Sequence, residues 1–513
     1  GLEDDNAVRQ FTGSYLLKTN FYKPGIGVFN LEIPNPAASS SHIFYNYFLV
    51  DSLQVDGRKT YVLRFHPKSL VTSPTLDGEM QFDAEDFGIR SVHAQLSPSS
   101  NVNWIRHINF DIINRRTPEG RWFYDEEHLF IDFSISVSDK SKLVSFLANR
   151  TIKYGPPEYG PITDKDALDS EESVVIRDVS TGDDEYWADA RPFELTDREQ
   201  GIYDMVEDFQ GTNFYKGSYG IIRTLTANYY EVKPWGFEFG RWARTFSYTG
   251  REGFRIQLGG RTLKEWNKKL RLGGYVAYGF RDKLPKGEAT AEWMIGREKT
   301  RKLTATATYD YKQYGSGTGV FSVPNIFSSI FAKNVGARRN IIRCFNLEYD
   351  HEFCRELNSK LEITQTRIWG NEEVPFIRRS DNLFQDSFST NEIHAQLRVS
   401  FDERVNRNFF KKTYIFTKYP VLTFDVTGGI AGITRDDFGY LKTEAGITWK
   451  VPTTAVGFGK LMLQGGAIWG GVPYPLLKLH EGNQTYFLDK TAFSCMDYFE
   501  FASDRWLTGY YVH

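Results

Sequence analysis

The sequence predicts an all-β protein, with a soluble β-rich domain followed by an antiparallel transmembrane β-barrel of at least twelve strands. Three observations predict this class. Aromatic residues make up 16% of the 513 residues, many segments of about ten residues alternate apolar with polar side chains, and long connections alternate with short ones. The strands that would close the barrel are expected to lie beyond the end of this chain.

Composition excludes two classes of protein. Hydrophobic residues are 41% of the chain, and no stretch approaches the roughly 18 consecutive apolar residues of a membrane-spanning helix, so a helical membrane protein is excluded. The net charge of −3 provides no positive field for DNA or RNA, so nucleic acid is not expected as a partner. The 40 Phe, 29 Tyr and 44 Gly favour strands, tight turns and interfacial aromatic rings.

No sequence pattern predicts an enzyme or a cofactor site. Catalytic-triad, phosphate-loop and HExxH patterns are absent, and none of the nine histidines lies three or four residues from another. The cysteines Cys344, Cys354 and Cys495 are odd in number and lack CxxC spacing, so they indicate neither a disulfide framework nor a zinc site. We therefore expect a non-enzymatic protein without catalytic residues, metal or cofactor.

Residues 1–154 are predicted to form the soluble domain. The clearest hairpin is Tyr45–Pro67, where two alternating segments flank Asp56-Gly57, a dipeptide that tolerates the positive φ of a type I′ turn. Further short alternating segments are separated by Asp-Gly, Pro and Ser signals, which indicates a meander.

Residues 155–212 are predicted to be an acidic linker that ends in a short helix. The segment is rich in Asp, Glu, Pro, Gly and Ser, which is typical of a solvated connection more often than of a cation site. Thr196 lies three residues before Glu199, ahead of an apolar face that starts at Ile202, and this pattern favours a capped helix.

Residues 213–513 are predicted to form the barrel, because their segments alternate at period two. In residues 303–311, for example, Leu, Ala and Tyr lie on one face while Thr and Asp lie on the other. Such segments predict strands near 238–248, 252–262, 268–280, 288–295, 303–313, 341–353, 359–369, 391–401, 414–426, 441–449, 460–469 and 496–511.

The lengths of the connections assign a direction to these strands. Long connections are predicted at 314–340, 370–390, 427–440 and 470–495, and the intervening turns are shorter. Outer-membrane barrels have long extracellular loops and short periplasmic turns, so the alternation fits a periplasmic soluble domain. Lysines and arginines fall mostly on the polar face; near the middle of a lipid-facing surface each would cost roughly 2–4 kcal/mol.

Polar residues concentrate in the first strands and around the last long connection. We expect them to form a network of ion pairs in the lumen or at the rim, which braces the barrel wall. The residues assigned to this network are Arg255, Arg271, Asp282, His480, Glu481, Asn483, Asp497, Glu500, Asp504 and Arg505. An acidic rim site that activates water is the alternative interpretation, since His480 lies beside Glu481.

Seven strings of the sequence are distinctive. They are YNYFLVDS (45–52), VLRFHPK (62–68), EYWADARPFELTDRE (185–199), REGFRIQLGGRT (251–262), GGYVAYGFRDK (273–283), VPYPLLKLHEGN (472–483) and FSCMDYFEFASDRW (493–506). Together they resemble a Bacteroidota outer-membrane β-barrel family of unknown function, which usually carries an N-terminal carboxypeptidase-regulatory-like domain. The resemblance implies an outer-membrane barrel with a periplasmic N-terminal domain, and it carries over no catalytic residue.

This sequence departs from the family pattern at both ends. The leading carboxypeptidase-regulatory-like domain has no counterpart before Gly1, and the family's barrel continues beyond the position that matches His513. A weaker likeness concerns residues 45–135, which look similar to half-barrel lipoprotein carriers of the periplasm. A concave apolar face would then hold an acyl chain; the alternative is a small sheet that packs on its own core.

These observations favour a component of an envelope transport, secretion or outer-membrane assembly complex. Its expected partners are outer-membrane lipid, lipopolysaccharide and other outer-membrane or periplasmic proteins. Two alternatives stay open: an outer-membrane channel or transporter for a small substrate, and an outer-membrane hydrolase with the acidic rim site.

Overall fold

The computed structural model confirms the all-β prediction. It describes residues 19–28, 31–69, 71, 73–100, 102, 105–134, 145–157, 159–161, 228–296, 301–315, 338–377, 382–407, 410, 412–452, 458–484 and 491–512, with isolated positions 197, 200, 201, 205, 325, 326 and 329. The acidic linker and helix predicted at 155–212 lie largely outside the described residues. None of the described helices is long and apolar enough to cross a membrane.

The N-terminal region contains a two-stranded sheet, β1–β2, and a seven-stranded antiparallel meander in which β3 to β9 follow one another in chain order. These strands are β1 (Gly25–Val28), β2 (Leu31–Pro34), β3 (Tyr45–Val55), β4 (Arg58–Pro67), β5 (Leu76–Asp83), β6 (Ile89–Leu96), β7 (Ile105–Arg116), β8 (Trp122–Ser134) and β9 (Ser145–Lys153).

The hairpin predicted around Asp56-Gly57 is confirmed. Asp56 has φ 51° and Gly57 has φ 74°, and the two residues join β3 to β4. Positive φ at both central positions suits the twist of the flanking strands. β3 is an edge strand, and a bulge at Val50 shifts its register with β4 between Leu49 and Asp51.

The apolar face of the meander packs against the β1–β2 hairpin. Ile26 and Ile33 of the hairpin are buried in one core with Phe65, Ile108 and Phe110 of the meander. Alternation at period two places those meander side chains on the same face. The β1–β2 hairpin therefore lies on the apolar face of the meander. This arrangement corresponds to the alternative in which the sheet packs on its own core.

The C-terminal region is built on a 14-stranded antiparallel sheet. Its order is β10-β11-β13-β14-β15-β16-β17-β18-β19-β22-β23-β24-β27, and β12 also pairs with β13. Among the described residues, the edge strands β10 and β27 pair only with β11 and β24.

The strands of this region alternate with connections of unequal length. The hairpin β20–β21 and the two-stranded sheet β25–β26 lie off the large sheet. The strands are β10 (Tyr229–Val232), β11 (Phe237–Gly240), β12 (Phe246–Thr249), β13 (Gly253–Thr262), β14 (Leu270–Gly279), β15 (Pro285–Ile295), β16 (Arg301–Gln313), β17 (Arg339–Glu352), β18 (Leu357–Trp369), β19 (Ser387–Val399), β20 (Arg404–Arg407), β21 (Lys412–Phe416), β22 (Val421–Gly429), β23 (Tyr440–Pro452), β24 (Phe458–Trp469), β25 (Lys478–Leu479), β26 (Ala502–Ser503) and β27 (Arg505–Val512).

The large sheet has a polar and an apolar face. We name the face that carries Arg255 and Asp310 the inner face, and the face that carries the exposed Leu258 and Val276 the outer face. Adjacent strands lie about 4.8 Å apart, so β13 and β16 would be about 14 Å apart in a flat sheet. Because Arg255 nevertheless bonds to Asp310, the sheet curves toward its inner face.

The connections divide between two ends of the sheet. The connections 314–338, 370–386, 430–439 and 470–504 lie at one end, the long-loop end. Shorter ones, at 263–269, 296–300, 353–356 and 453–457, lie at the other, the short-turn end. The predicted alternation of loop lengths holds for these connections, but the turn 280–284 at the long-loop end is short and the connection 400–420 at the short-turn end is long.

Three of the predicted strands differ from the observed ones. The segment 238–248 is divided into β11 and β12 by a 3-10 turn at Trp242–Arg244. The segment 414–426 is divided between β21 and β22, because Pro420 lacks an N–H for the ladder. The last strand begins at Arg505 rather than near residue 496, because Phe499 adopts a positive φ of 66° that breaks an extended strand.

Candidate functional site

A cluster of buried charges lies on the inner face near the long-loop end. Arg255 of β13 is 1% exposed, and its guanidinium donates to both carboxylate oxygens of Asp310 at 2.8 and 2.7 Å. It also donates to Glu252 at 2.8 Å, and the hydroxyl of Tyr275 donates to Asp310 at 2.6 Å. A guanidinium this buried requires such partners, because an unpaired charge away from water is costly.

Lys286 extends this buried charge cluster to Asp282. Its ammonium lies 2.9 Å from Glu252 and 2.5 Å from Asp282. Arg339 is also buried and interacts electrostatically with Glu252 and Asp310. A hydrogen-bonded set that alternates cations with carboxylates holds four neighbouring strands rigidly.

A second inner-face site, the arginine pocket, lies toward the short-turn end. It has a volume of about 190 Å³. Its charged lining residues are Arg241, Arg244, Arg261, Arg271, Glu288 and Glu292. Arg271 pairs with Glu292, and Arg261 pairs with Glu238.

Arg244 contributes to the arginine pocket a guanidinium outside the ion pairs of Arg261 and Arg271. Its side chain has no ion pair among the residues that the structure describes, and it belongs to the 3-10 turn between β11 and β12. Arg241 donates instead to the hydroxyl of Tyr229 at 3.0 Å, and Arg261 stacks over that ring at 4.1 Å. Guanidinium groups in this arrangement suit a carboxylate or phosphate ligand.

The β20–β21 hairpin covers part of the inner face at the short-turn end. Phe410, at its tip, is buried, and its ring centre lies 4.6 Å from the guanidinium of Arg271. Lys412 pairs with Glu352 of β17 at 3.0 Å. Since β14 and β19 are five strands apart in the sheet order, the contact of Phe410 with Arg271 spans the interior.

The residues assigned to a polar network lie in three separate places. Arg255 and Asp282 belong to the buried charge cluster, and Arg271 lines the arginine pocket. The others lie in the connection after β24 or at the start of β27: His480, Glu481, Asn483, Asp497, Glu500, Asp504 and Arg505. Their assignment to one network stays a prediction.

The late connection engages His480 and Glu481 separately. A ring nitrogen of His480 lies 2.9 Å from the hydroxyl of Ser503, and the Glu481 carboxylate accepts from Lys478 at 2.7 Å. Each side chain thus braces a different part of the connection. This arrangement favours a structural role for the pair over acid–base chemistry.

Other predicted residues of the late connection shape its backbone. The main-chain N–H of Asn483 donates to the carbonyl of Met496 at 3.1 Å. The main-chain N–H of Asp497 donates to the Glu500 carboxylate at 2.8 Å, which fixes the turn that contains Phe499. These bonds satisfy main-chain groups that a loop otherwise leaves to water.

Most partners in the two inner-face sites were missed in the sequence. They include Glu252, Tyr275, Lys286, Asp310, Arg339, Arg241, Arg244 and Arg261. Alternation had placed Asp310 on the polar face, but the register that brings it to Arg255 depends on four strands together. No group of three or more His, Cys, Asp or Glu in the described part of the chain is placed to hold a metal ion.

The family comparison concerns the C-terminal region. Residues 224–513 match the family described as "Family of unknown function (DUF5686) C-terminal domain". The comparison with curated proteins found no match.

Solved structures are similar only at low scores. BamA from Haemophilus ducreyi lacking POTRA domains 1-3 is 12% identical, with a TM-score of 0.29 over 47% of this chain and 43% of that chain. OpdQ of Pseudomonas aeruginosa is 8% identical, with a TM-score of 0.25 over 83% and 90% of the two chains. OccK3 (OpdO) of the same organism is 8% identical, with a TM-score of 0.27 over 84% and 89%. Likenesses at these scores carry no argument about function.

Proposed function

The chain belongs to the DUF5686 family of unknown function, and from its geometry we propose that it is an outer-membrane β-barrel protein whose soluble N-terminal sheet binds a periplasmic partner protein. In this role the protein is a non-enzymatic component of an envelope transport, secretion or outer-membrane assembly complex. The observation that carries the partner role is the exposed apolar edge strand β3.

The distribution of side chains on the large sheet supports a position in the membrane. The outer face exposes large apolar residues on successive strands: Leu258, Leu272, Val276, Phe345, Leu347, Leu361, Ile363, Ile393, Leu397, Phe424, Val426, Leu441, Ile447 and Leu463. Charged residues gather on the inner face instead. An aqueous environment would disfavour so wide an apolar surface, whereas the lipid core favours it.

The edge strand β3 supports a role in binding another protein. Phe48, Leu49 and Val50 are 57%, 65% and 59% exposed, and the strand pairs only with β4 among the described residues. An edge strand offers unpaired N–H and C=O groups to an added strand, and exposed apolar side chains add affinity.

Cell fractionation and crosslinking together test the proposal. The full chain is expected in the outer-membrane fraction, and its electrophoretic mobility is expected to change on heating, as for folded barrels. A photo-reactive residue at Phe48 should crosslink a periplasmic protein, and Leu49→Lys should reduce that crosslink about tenfold or more. Leu147→Lys, at the exposed leucine of the other edge strand, is the matched control and should leave the crosslink unchanged.

A chain that always purifies alone would contradict the partner role, and recovery in the soluble fraction would contradict the membrane role. These two failures are independent of each other.

The arginine pocket favours a second candidate function, an anion-selective channel or transporter. Arg244 forms no ion pair with the described residues, and a positively charged constriction attracts anions. Conductance in planar bilayers tests this candidate, because Arg244→Gln should lower the ratio of anion to cation permeability. Arg301→Gln, on the outer face, should not change that ratio. A wild-type protein that shows no conductance would remove this candidate.

A further inference from the structure

Two arginines lie directly opposite each other on the outer face. Arg343 of β17 pairs in register with Arg367 of β18, and both side chains are exposed. Arg367 donates to the hydroxyl of Ser387 at 3.0 and 3.1 Å. Neither arginine has an ion pair among the described residues, although like charges in directly opposite positions destabilise a sheet. An anion between them would remove that repulsion.

The two arginines lie at the depth expected for lipid headgroups. They are near the long-loop end of their strands and share the outer face with Tyr309 and Trp369, whose rings meet edge to face at 6.3 Å. Tyrosine and tryptophan mark the boundary between hydrocarbon and headgroups. Charge on the lipid-facing surface is tolerated at this depth because phosphate and water are available.

An apolar groove on the outer face begins beside the arginine pair. It has a volume of about 720 Å³. Alanines form its floor and larger residues form its sides: Ala289, Ala291, Ala305, Ala307, Leu272, Phe345, Leu347 and Ile363. The lining residues come from five neighbouring strands, so the groove runs across β14 to β18. Phe345 follows Arg343 by two residues on the same face of β17, which places one side of the groove about 7 Å from that arginine.

We propose that Arg343 and Arg367 bind the phosphate of lipid A, the anchor of lipopolysaccharide, while one of its acyl chains lies in the groove. This inference rests on the proposed outer-membrane location. Two guanidinium groups match the charge and the oxygen geometry of a phosphate, and the groove supplies an apolar surface continuous with them. Lysine would provide charge at these positions without the bidentate geometry.

Lipid retention by the purified full chain tests the site. The protein is extracted in detergent, and bound lipid A is measured by native mass spectrometry after exchange with bisphosphorylated lipid A, with lipid A lacking its phosphates, or with inorganic phosphate. The wild type should retain bisphosphorylated lipid A. The double variant R343Q/R367Q should retain at least about tenfold less. Ala305→Phe, which fills the groove, should also lower retention.

Arg301→Gln is the matched control, because it removes an exposed charge at the short-turn end of the neighbouring strand β16. It should leave retention unchanged. Equal retention by R343Q/R367Q and the wild type would overturn the proposal, and so would equal retention of the lipid without phosphates. Inorganic phosphate that displaces lipid A completely would identify a simple anion site instead and would also overturn it.

The change of electrophoretic mobility on heating shows whether each variant is folded. If R343Q/R367Q is folded, its lower retention of lipid A reports on the site itself. Recovery of the wild type outside the outer membrane would contradict the proposed function, whereas loss of lipid selectivity in a correctly located barrel contradicts only the lipid site.

Discussion

Arg255 and Asp310 face each other across two intervening strands and share two hydrogen bonds, of 2.8 and 2.7 Å. The pair ties β13 to β16 on the inner face, although these strands are not neighbours in the sheet. The pair can form only where the sheet is curved, and its hydrogen bonds in turn hold that curvature.

Replacing one member of this pair should destabilise the barrel strongly. Asp310→Asn leaves the buried guanidinium of Arg255 without its main counter-ion, and we expect a loss of about 3–5 kcal/mol in the free energy of unfolding. Thermal unfolding followed by heat-dependent mobility would measure it. Asp350→Asn, which removes a partly exposed pair with Lys302, should cost less than about 1 kcal/mol. Equal losses for the two variants would show that the buried pair has no special role.

The N-terminal sheet should lose stability in acid through Asp83. Arg58 donates to this buried carboxylate at 2.6 and 2.7 Å and holds its pKa well below the ordinary range. Because the folded pKa is the lower one, the stabilisation is complete above the unfolded value of about 4 and is lost as the pH falls below it.

Hydrogen–deuterium exchange of the full chain can follow this effect in β4 and β5. Protection factors should fall between about pH 4 and pH 2 in the wild type, and Asp83→Asn should have low protection throughout. Asp111→Asn, at an exposed pair with His93, is the control and should retain the wild-type pH dependence. A wild-type profile that is flat in acid would refute the role of Asp83.

Removing the β20–β21 hairpin should open the interior. Phe410 contacts Arg271 across the sheet, and Lys412 pairs with Glu352, so the hairpin occupies space beside the arginine pocket. Replacing residues 404–416 with a short Gly-Ser linker should raise single-channel conductance severalfold in planar bilayers. Replacing residues 432–436, at the long-loop end, with a linker of the same composition is the comparison. Unchanged conductance after removal of the hairpin would mean that it does not limit passage.

The late connection should tolerate loss of its carboxylates. Glu481 is bonded to Lys478 in a partly buried ion pair, so we expect Glu481→Gln to cost less than about 1 kcal/mol. If the purified protein hydrolyses generic ester or peptide substrates, Glu481→Gln and Asp504→Asn should leave the rate unchanged. A hundredfold loss of rate in either folded variant would support the hydrolase alternative.

Local patterns in the sequence predicted much of the fold. Alternation in residues 303–311 gave the two faces of β16, and Asp56-Gly57 gave the β3–β4 turn, because both depend on neighbouring residues only. The β20–β21 hairpin was missed because Tyr414 and Phe416 alternate like a continuing strand. Only Pro420 signals the break.

The candidate sites were less accessible to sequence reasoning. Arg255 and Asp282 were assigned to a polar network in the lumen or at the rim, yet their link through Glu252 and Lys286 depends on the register of three strands. The pairing of Arg343 with Arg367 depends likewise on the register between β17 and β18. A shift of one residue in the strand register would move these side chains to the opposite face of the sheet. No local sequence pattern determines that register.

The bulge at Val50 has a consequence for how copies of this protein behave at high density. It interrupts the regular spacing of the exposed β3 edge between Leu49 and Asp51. A straight edge of this apolar character would template endless stacking of identical chains, whereas a bulged edge twists away from a flat copy of itself. The bulge thus disfavours fibrous self-assembly of this protein in a crowded envelope.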